Sequence, residues 1–289
     1  MRFWTIVATA LVAVGLVVAP AVAADKIRFA VTDVEGAEQL QREYGAFVEE
    51  LEKVTGYEIE FTPVNNRTAA VEAMRAQQVD FVLTGPAEYV VFAKLTDAKP
   101  VVSWQRPDYF AQIVVMAEGP IKSLADLKGK KVAFGEVGST SQQLGPSQIL
   151  ADAGLKYGAD YSVEIIKRNV AIEAMIRGDV QAIGMNLTHL RSAREKFPGI
   201  KFAVVGRGPD LPNDILMAAS FVPAEVVAKV KTAFVEKGTE LMSGVLKGED
   251  TKKYEGGHFI AEVNDKDYDI VRAMYATVGV PKFSNFIGE

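Results

Sequence analysis

The apolar positions of the chain change period repeatedly, from two to about 3.6 residues and back. Residues 26–32 alternate and are rich in β-formers, which predicts a strand. Leu40, Tyr44, Phe47, Val48 and Leu51 then recur at helical spacing up to Gly56, a helix stop. Residues 57–64 form the next strand pattern. A helix capped by Asn65 or Asn66 follows, with Ala70, Val71 and Met74 on its apolar face, and residues 80–83 make a short strand ending in Thr84-Gly85-Pro86. The cycle then repeats. Strands are expected at 100–104, 109–116, 132–135, 161–167 and 180–185, with helices at 123–127, after 139, at 171–176 and from Leu187. An extended return at 202–211, a strand at 215–221 and helices at 223–236 and 268–277 complete the pattern. Strands alternating with helices predict a parallel α/β fold. Two such series separated by extended crossings predict two similar lobes.

The first residues stand outside this pattern. Arg2 precedes an almost wholly apolar run over 3–18, and Ala21-Val22-Ala23 is a small-residue cleavage site, so residues 1–23 read as a secretory signal peptide; an uncleaved membrane anchor is the alternative. The chain has no cysteine, which excludes disulfides, thiol catalysis, cysteine metal sites and a lipid-modified N-terminal cysteine. Export without such an anchor predicts a periplasmic protein. A formal charge of −5 argues against nucleic acid, since phosphate backbones need a basic face. The two histidines, His189 and His258, sit in unrelated contexts, so no metal is expected, and His189 reads as a helix-surface residue. No GxSxG, HExxH or phosphate-binding GxxxxGK motif is present, and neither an enzyme nor a bound cofactor is expected.

In open α/β sheets ligands sit beyond the carboxyl ends of the strands. Five strand-to-helix loops qualify as walls of a cleft between the lobes: 33–36, 65–67, 84–86, 138–141 and 168–169. The fourth carries the most chemistry. Strand 132–135 runs through a glycine turn into Ser139-Thr140-Ser141, where Ser139 can cap a helix with Gln142 at capping-box spacing. The N–H groups of a first helical turn lack intrahelical acceptors and carry the positive end of the helix dipole. This stretch is therefore either an anion site with hydroxyls to spare or an ordinary capped helix.

Gln77-Gln78-Val79-Asp80 with Thr84-Gly85-Pro86-Ala87-Glu88-Tyr89, then the run from Ile121 to Lys130, Gly138-Ser139-Thr140-Ser141 with Pro146, Gly178-Asp179-Val180 and Leu211-Pro212-Asn213-Asp214 follow one another in order. Together they resemble the phosphate/phosphite/phosphonate-binding proteins of ABC importers, over nearly all of the chain after residue 23. The resemblance implies a type II periplasmic binding fold, each lobe a mostly parallel sheet flanked by helices. Lobe 1 would be 24–107 with 208–289, and lobe 2 would be 108–207. It implies a monomer holding a small anionic ligand on Ser139, Thr140 and Ser141, for an ABC permease or for a membrane sensor kinase.

Departures from the family pattern fall at four positions. Arg168 stands where the family often has a ligand-contacting histidine, Arg67 and Thr84 where tyrosines occur, and Asn186 where an acidic residue is common. Guanidinium grips carboxylate or phosphate oxygens through paired N–H bonds, so these changes suggest a ligand more anionic than an aminoalkylphosphonate. Alternatively Arg67 and Arg168 pair on the surface with Glu72 or Glu164. Tyr89 and Tyr109 either close over the ligand or pack in the core and hinge.

Overall fold

A computed structural model describes residues 26–34, 36–64 and 66–282. The expected signal peptide lies outside the described residues. Strand β1 (Lys26–Val31) pairs in parallel with β2 (Glu58–Phe61) and β3 (Phe81–Thr84), and helices α1 (Ala37–Thr55) and α2 (Arg67–Arg75) make the crossovers. The apolar stripe of α1 is buried as its spacing requires, and Gly56 stops the helix at φ 71°. Helix α3 (Pro86–Leu95) starts directly at the end of β3, and β4 (Lys99–Trp104) follows it.

The chain then crosses into a second sheet. Its strands are β5 (Phe110–Met116), β6 (Lys131–Phe134), β7 (Ser162–Ile165), β8 (Ala182–Asn186) and β9 (Phe202–Asp210), in spatial order 7-6-8-5-9. Helices α4 (Gly145–Asp152), α5 (Arg168–Arg177) and α6 (Leu187–Lys196) connect them. Strand β10 (Asp214–Ala218) returns to the first sheet, followed by α7 (Ala224–Glu236), α8 (Gly238–Val245), a short β11 (Phe259–Ile260) and α9 (Asp269–Thr277). The first sheet has the order 11-4-10-3-1-2. Among the described residues no helix is long and apolar enough to cross a membrane.

Both sheets are mixed rather than mostly parallel. The inner pairings β1–β2, β1–β3, β6–β7 and β6–β8 are parallel, while β5 runs antiparallel to β8 and β9, and β10 antiparallel to β3 and β4. The reversal follows from the crossings. Five residues join β4 to β5, too few for a parallel crossover, so a strand passing from one sheet to the other enters against the direction of its new neighbours.

The first sheet's core centres on Trp104, fully buried, with Phe47, Phe234 and Phe259 rings 5.2, 5.8 and 4.9 Å away. Helix α8, not foreseen from the sequence, packs on α1 so closely that a Cβ on Gly244 would stand 2.9 Å from the Ala46 carbonyl oxygen. Helix α9 bridges the two halves: it packs on both α3 and α4, with the Tyr275 hydroxyl donating to the Ala87 carbonyl at 3.0 Å.

Candidate functional site

A cleft of about 550 Å³ opens where the carboxyl ends of the parallel strands in the two sheets face each other. One wall, with the buried hydroxyls of Ser139, Thr140 and Ser141, is the segment after β6. Gly138, at φ 78°, turns the chain, and its N–H donates to Gln143 Oε1 at 2.6 Å, while Gln143 Nε2 donates to the Tyr157 hydroxyl at 3.0 Å. The helix begins as a π-turn over Thr140–Leu144, closed by the Leu144 N–H to the Ser139 carbonyl at 3.0 Å, and continues as α4. Such turns recur at functional sites because they re-aim the first side chains of a helix. No backbone carbonyl accepts from the N–H groups of Thr140, Ser141 or Gln142 among the described residues, so the expected row of open donors is present.

The expected capping box is not. Ser139 makes no side-chain cap, because the wider π-turn moves its hydroxyl off the capping geometry. The capping box forms instead between Ser123 and Asp126. Gln142 turns toward Arg168, whose Nε lies 3.4 Å from Gln142 Oε1. The π-turn needs glycines beneath it: a Cβ on Gly184 would lie 2.6 Å from Pro146 Cβ, and one on Gly135 2.7 Å from Gln142 Cβ.

The hydroxyls are held in place. Asn186 ends β8 and caps α6, its Oδ1 accepting from the His189 N–H at 3.0 Å while its Nδ2 donates to Ser141 Oγ at 3.1 Å. Thr140 Oγ1 accepts from the Ala87 N–H of α3 at 3.0 Å, joining the two cleft walls. The Tyr109 side chain lines the cleft with Thr140 and Ser141, and its ring carries the Arg106 guanidinium at 3.6 Å.

Charge in the cleft is mostly paired. Arg106 lies 3.3 Å from Asp214, which also accepts from the Tyr254 hydroxyl at 2.7 Å; burial lowers the guanidinium's affinity for its proton, but Asp214 together with Tyr109, Tyr254 and Asp33 more than restores it. Burial would raise the Asp33 carboxyl, yet its ion pair with Lys253 holds it down at about 2. Arg67 pairs tightly with the buried Glu88 and reaches Glu136 at 3.4 Å. Arg168 differs: its side chain is exposed and has no carboxylate within ion-pair distance among the described residues, and partial desolvation by the cleft walls lowers its proton affinity.

The family profile of periplasmic substrate-binding proteins of phosphonate ABC transporters matches residues 29–268. The chain belongs to that family. Its relatives include the phosphate-import protein PhnD of Mycolicibacterium smegmatis, 27% identical over 89% of this chain and 87% of that protein. In fold it is similar to PhnD1 of Prochlorococcus marinus, solved with methylphosphonate, at TM-score 0.72, 18% identity and coverage of 89% and 99%. It is also similar to the binding component of a phosphonate ABC transporter from Pseudomonas aeruginosa, at TM-score 0.69, 17% identity and coverage of 87% and 86%. The type II periplasmic fold, the periplasmic location and the role of binding protein rather than enzyme follow from this membership.

Within this phosphonate-binding family member, Ser139, Thr140, Ser141, Asn186, Arg67 and Arg168 all line the cleft. Neither arginine pairs with Glu72 or Glu164 on the surface; Glu72 is held by Arg75. Thr84 lies behind the lining, its hydroxyl 3.0 Å from that of Thr32. Tyr89 faces away, because one residue along a helix turns the side chain by about 100°. Glu88 looks into the cleft, while Tyr89 packs its ring 4.2 Å from Tyr268 and donates to Asp265. His189, read from sequence as a helix-surface residue, is a cleft residue on the first turn of α6. Arg106, Asp214 and Lys253 were missed. Asp214 belongs to a motif already singled out, but Lys253 lies on a 3-10 turn, Asp250–Tyr254, whose sequence has no periodic signature.

Proposed function

We propose that the cleft captures an oxyanion of the phosphonate or phosphate type for delivery to an ABC permease. In this reading the hydroxyls of Ser139, Thr140 and Ser141 and the open N–H groups of the π-turn hold the anion's oxygens, and Arg168 balances its charge. Asn186 positions Ser141, and Arg67 shapes the cleft through Glu88. The observation that carries the reading is the contrast among the cations: Arg67, Arg106 and Lys253 each have a carboxylate partner, and Arg168 has none among the described residues. An anion held against Arg168 and a row of backbone donors regains the hydrogen bonds it loses on leaving water. The names of the relatives, which speak of phosphate import and of a methylphosphonate complex, support the same ligand class.

The lobes in this proposal are 24–107 with 208–289, and 108–207. Strands from residues 26–104 and 214–260 in one sheet and 110–210 in the other support that division, with β9 running slightly past the boundary. Both cleft walls come from a single chain, which suits a monomer. No feature of the site favours a sensor kinase over a permease as partner. Thermal-shift titration with phosphate, phosphite, methylphosphonate, sulfate and dicarboxylates tests the ligand class, since a ligand bound to the folded state raises the melting temperature with its concentration. A saturable shift from a phosphorus oxyanion is expected. A shift produced only by dicarboxylates, or by none of these anions, would refute the proposal.

A further inference from the structure

His189 is a cleft residue with an unpaired ring nitrogen. It stands on the first turn of α6, lines the cleft, and its Nδ1 is buried without a hydrogen-bond partner. A buried unpaired imidazole nitrogen costs free energy and is normally satisfied by protein, water or ligand. The charged groups acting on the ring from the elements around it are all cations: Arg168 on α5, Arg106 between β4 and β5, and Lys253 on the 3-10 turn. On α6 itself Arg191 and Glu195 also line the cleft, and Arg191 lies 3.7 Å from Asp108. Burial, reinforced by those cations, pushes the imidazole well below the usual histidine range, so His189 is neutral in the empty cleft.

Charge counting then points to a role. Arg106 and Lys253 are balanced by Asp214 and Asp33, and Arg67 by Glu88, which among the described residues leaves Arg168, of these four cleft cations, without a carboxylate partner. A phosphonate or phosphate dianion brings two negative charges, and Arg168 meets one of them. We propose that His189 is a ligand-contacting, specificity-determining residue whose imidazole hydrogen-bonds an oxygen of the bound anion and takes up one proton from solvent as a dianion enters. No bond other than the N–H is made. The inference rests on the oxyanion reading above. A singly charged anion of fixed charge, such as methanesulfonate, would gain nothing from the proton, so the device favours dianions over singly charged anions.

The test is imidazole ¹⁵N NMR on the full chain, helped by there being two histidines, of which His258 lies outside the cleft. Inorganic phosphate and methylphosphonate are the probes, with saturation followed by calorimetry at neutral pH. The expected result is that the His189 ring nitrogens move to imidazolium shifts at saturation while those of His258 stay, and that His189→Gln, still folded, weakens binding by about tenfold. Saturable binding with unmoved His189 signals, or unchanged affinity in His189→Gln, overturns this inference and leaves the oxyanion site standing. Absence of binding by either probe and by every anion of the thermal-shift panel defeats both.

Discussion

Asn186 reaches Ser141 across the floor of the cleft: its Nδ2 donates to Ser141 Oγ at 3.1 Å. The same side chain caps α6 through Oδ1. One residue therefore fixes the start of a helix and fills one lone pair of the hydroxyl. The amide nitrogen can only donate to Ser141, which leaves the serine proton free to point at a ligand oxygen.

Asn186→Leu removes both bonds. Loss of the cap costs about 0.5–2 kcal/mol of stability. Ser141 also loses its orientation, and anion affinity falls by about tenfold, an effect of one hydrogen bond. Asn186→Asp keeps the cap but adds a negative charge beside the site, so stability is retained and anion affinity falls. Calorimetric titration together with urea denaturation separates the two outcomes.

Arg67 and Glu88 form a buried pair, with Glu88 1% exposed. Removing one partner leaves an uncompensated charge, and Arg67→Met is expected to lose about 3–5 kcal/mol of stability. The double variant Arg67→Met/Glu88→Leu recovers most of it. Denaturant midpoints of the two variants check this. If the single variant is as stable as the double, Arg67 is not the counter-charge of Glu88.

Asp33 contributes to the acid limb of the stability profile, alongside the lowered carboxyls of Asp126 and Asp265. Its carboxyl titrates at about 2 when folded, against 3.8 for a free side chain. The folded pKa is depressed, so the unfolded chain binds the proton first as pH falls, and the stabilisation is complete above pH 4 and lost toward pH 2. Lys253→Met removes the cause of the depression and should flatten that part of the curve, measured as urea midpoint against pH. His189 acts at higher pH. Its folded pKa lies below the free value of 6.5, so the ligand-free protein loses stability as pH falls below 6.5, and His189→Gln lessens that loss.

Much of this architecture was legible in the sequence. The period of α1, with Leu40, Tyr44, Phe47 and Leu51, located both its face and its end at Gly56. The hydroxyl run after β6 marked one wall of the cleft. Local pattern failed where tertiary geometry decides. The turn at Thr140 widened to a π-turn because Gly135 and Gly184 let it settle onto the sheet, and nothing within the Ser139–Gln142 stretch signals that. Glu88 and Tyr89 differ by one helical step, and it is the 3-10 turn Asp265–Tyr268, distant in sequence, that takes up Tyr89 and leaves Glu88 to the cleft. Which arginine lacks a carboxylate is likewise a property of partners distant in sequence: Glu88 and Glu136 occupy Arg67, and among the described residues no acid reaches Arg168.

The most direct measurement is isothermal titration of methylphosphonate and of phosphate into the wild type and Arg168→Gln at neutral pH. One-to-one binding in the wild type, weakened by about 10–100-fold in Arg168→Gln at unchanged thermal stability, is the predicted result, since a charge-assisted hydrogen bond contributes about 1.5–3 kcal/mol. Equal affinity in the two proteins would contradict the account by removing Arg168 from the site.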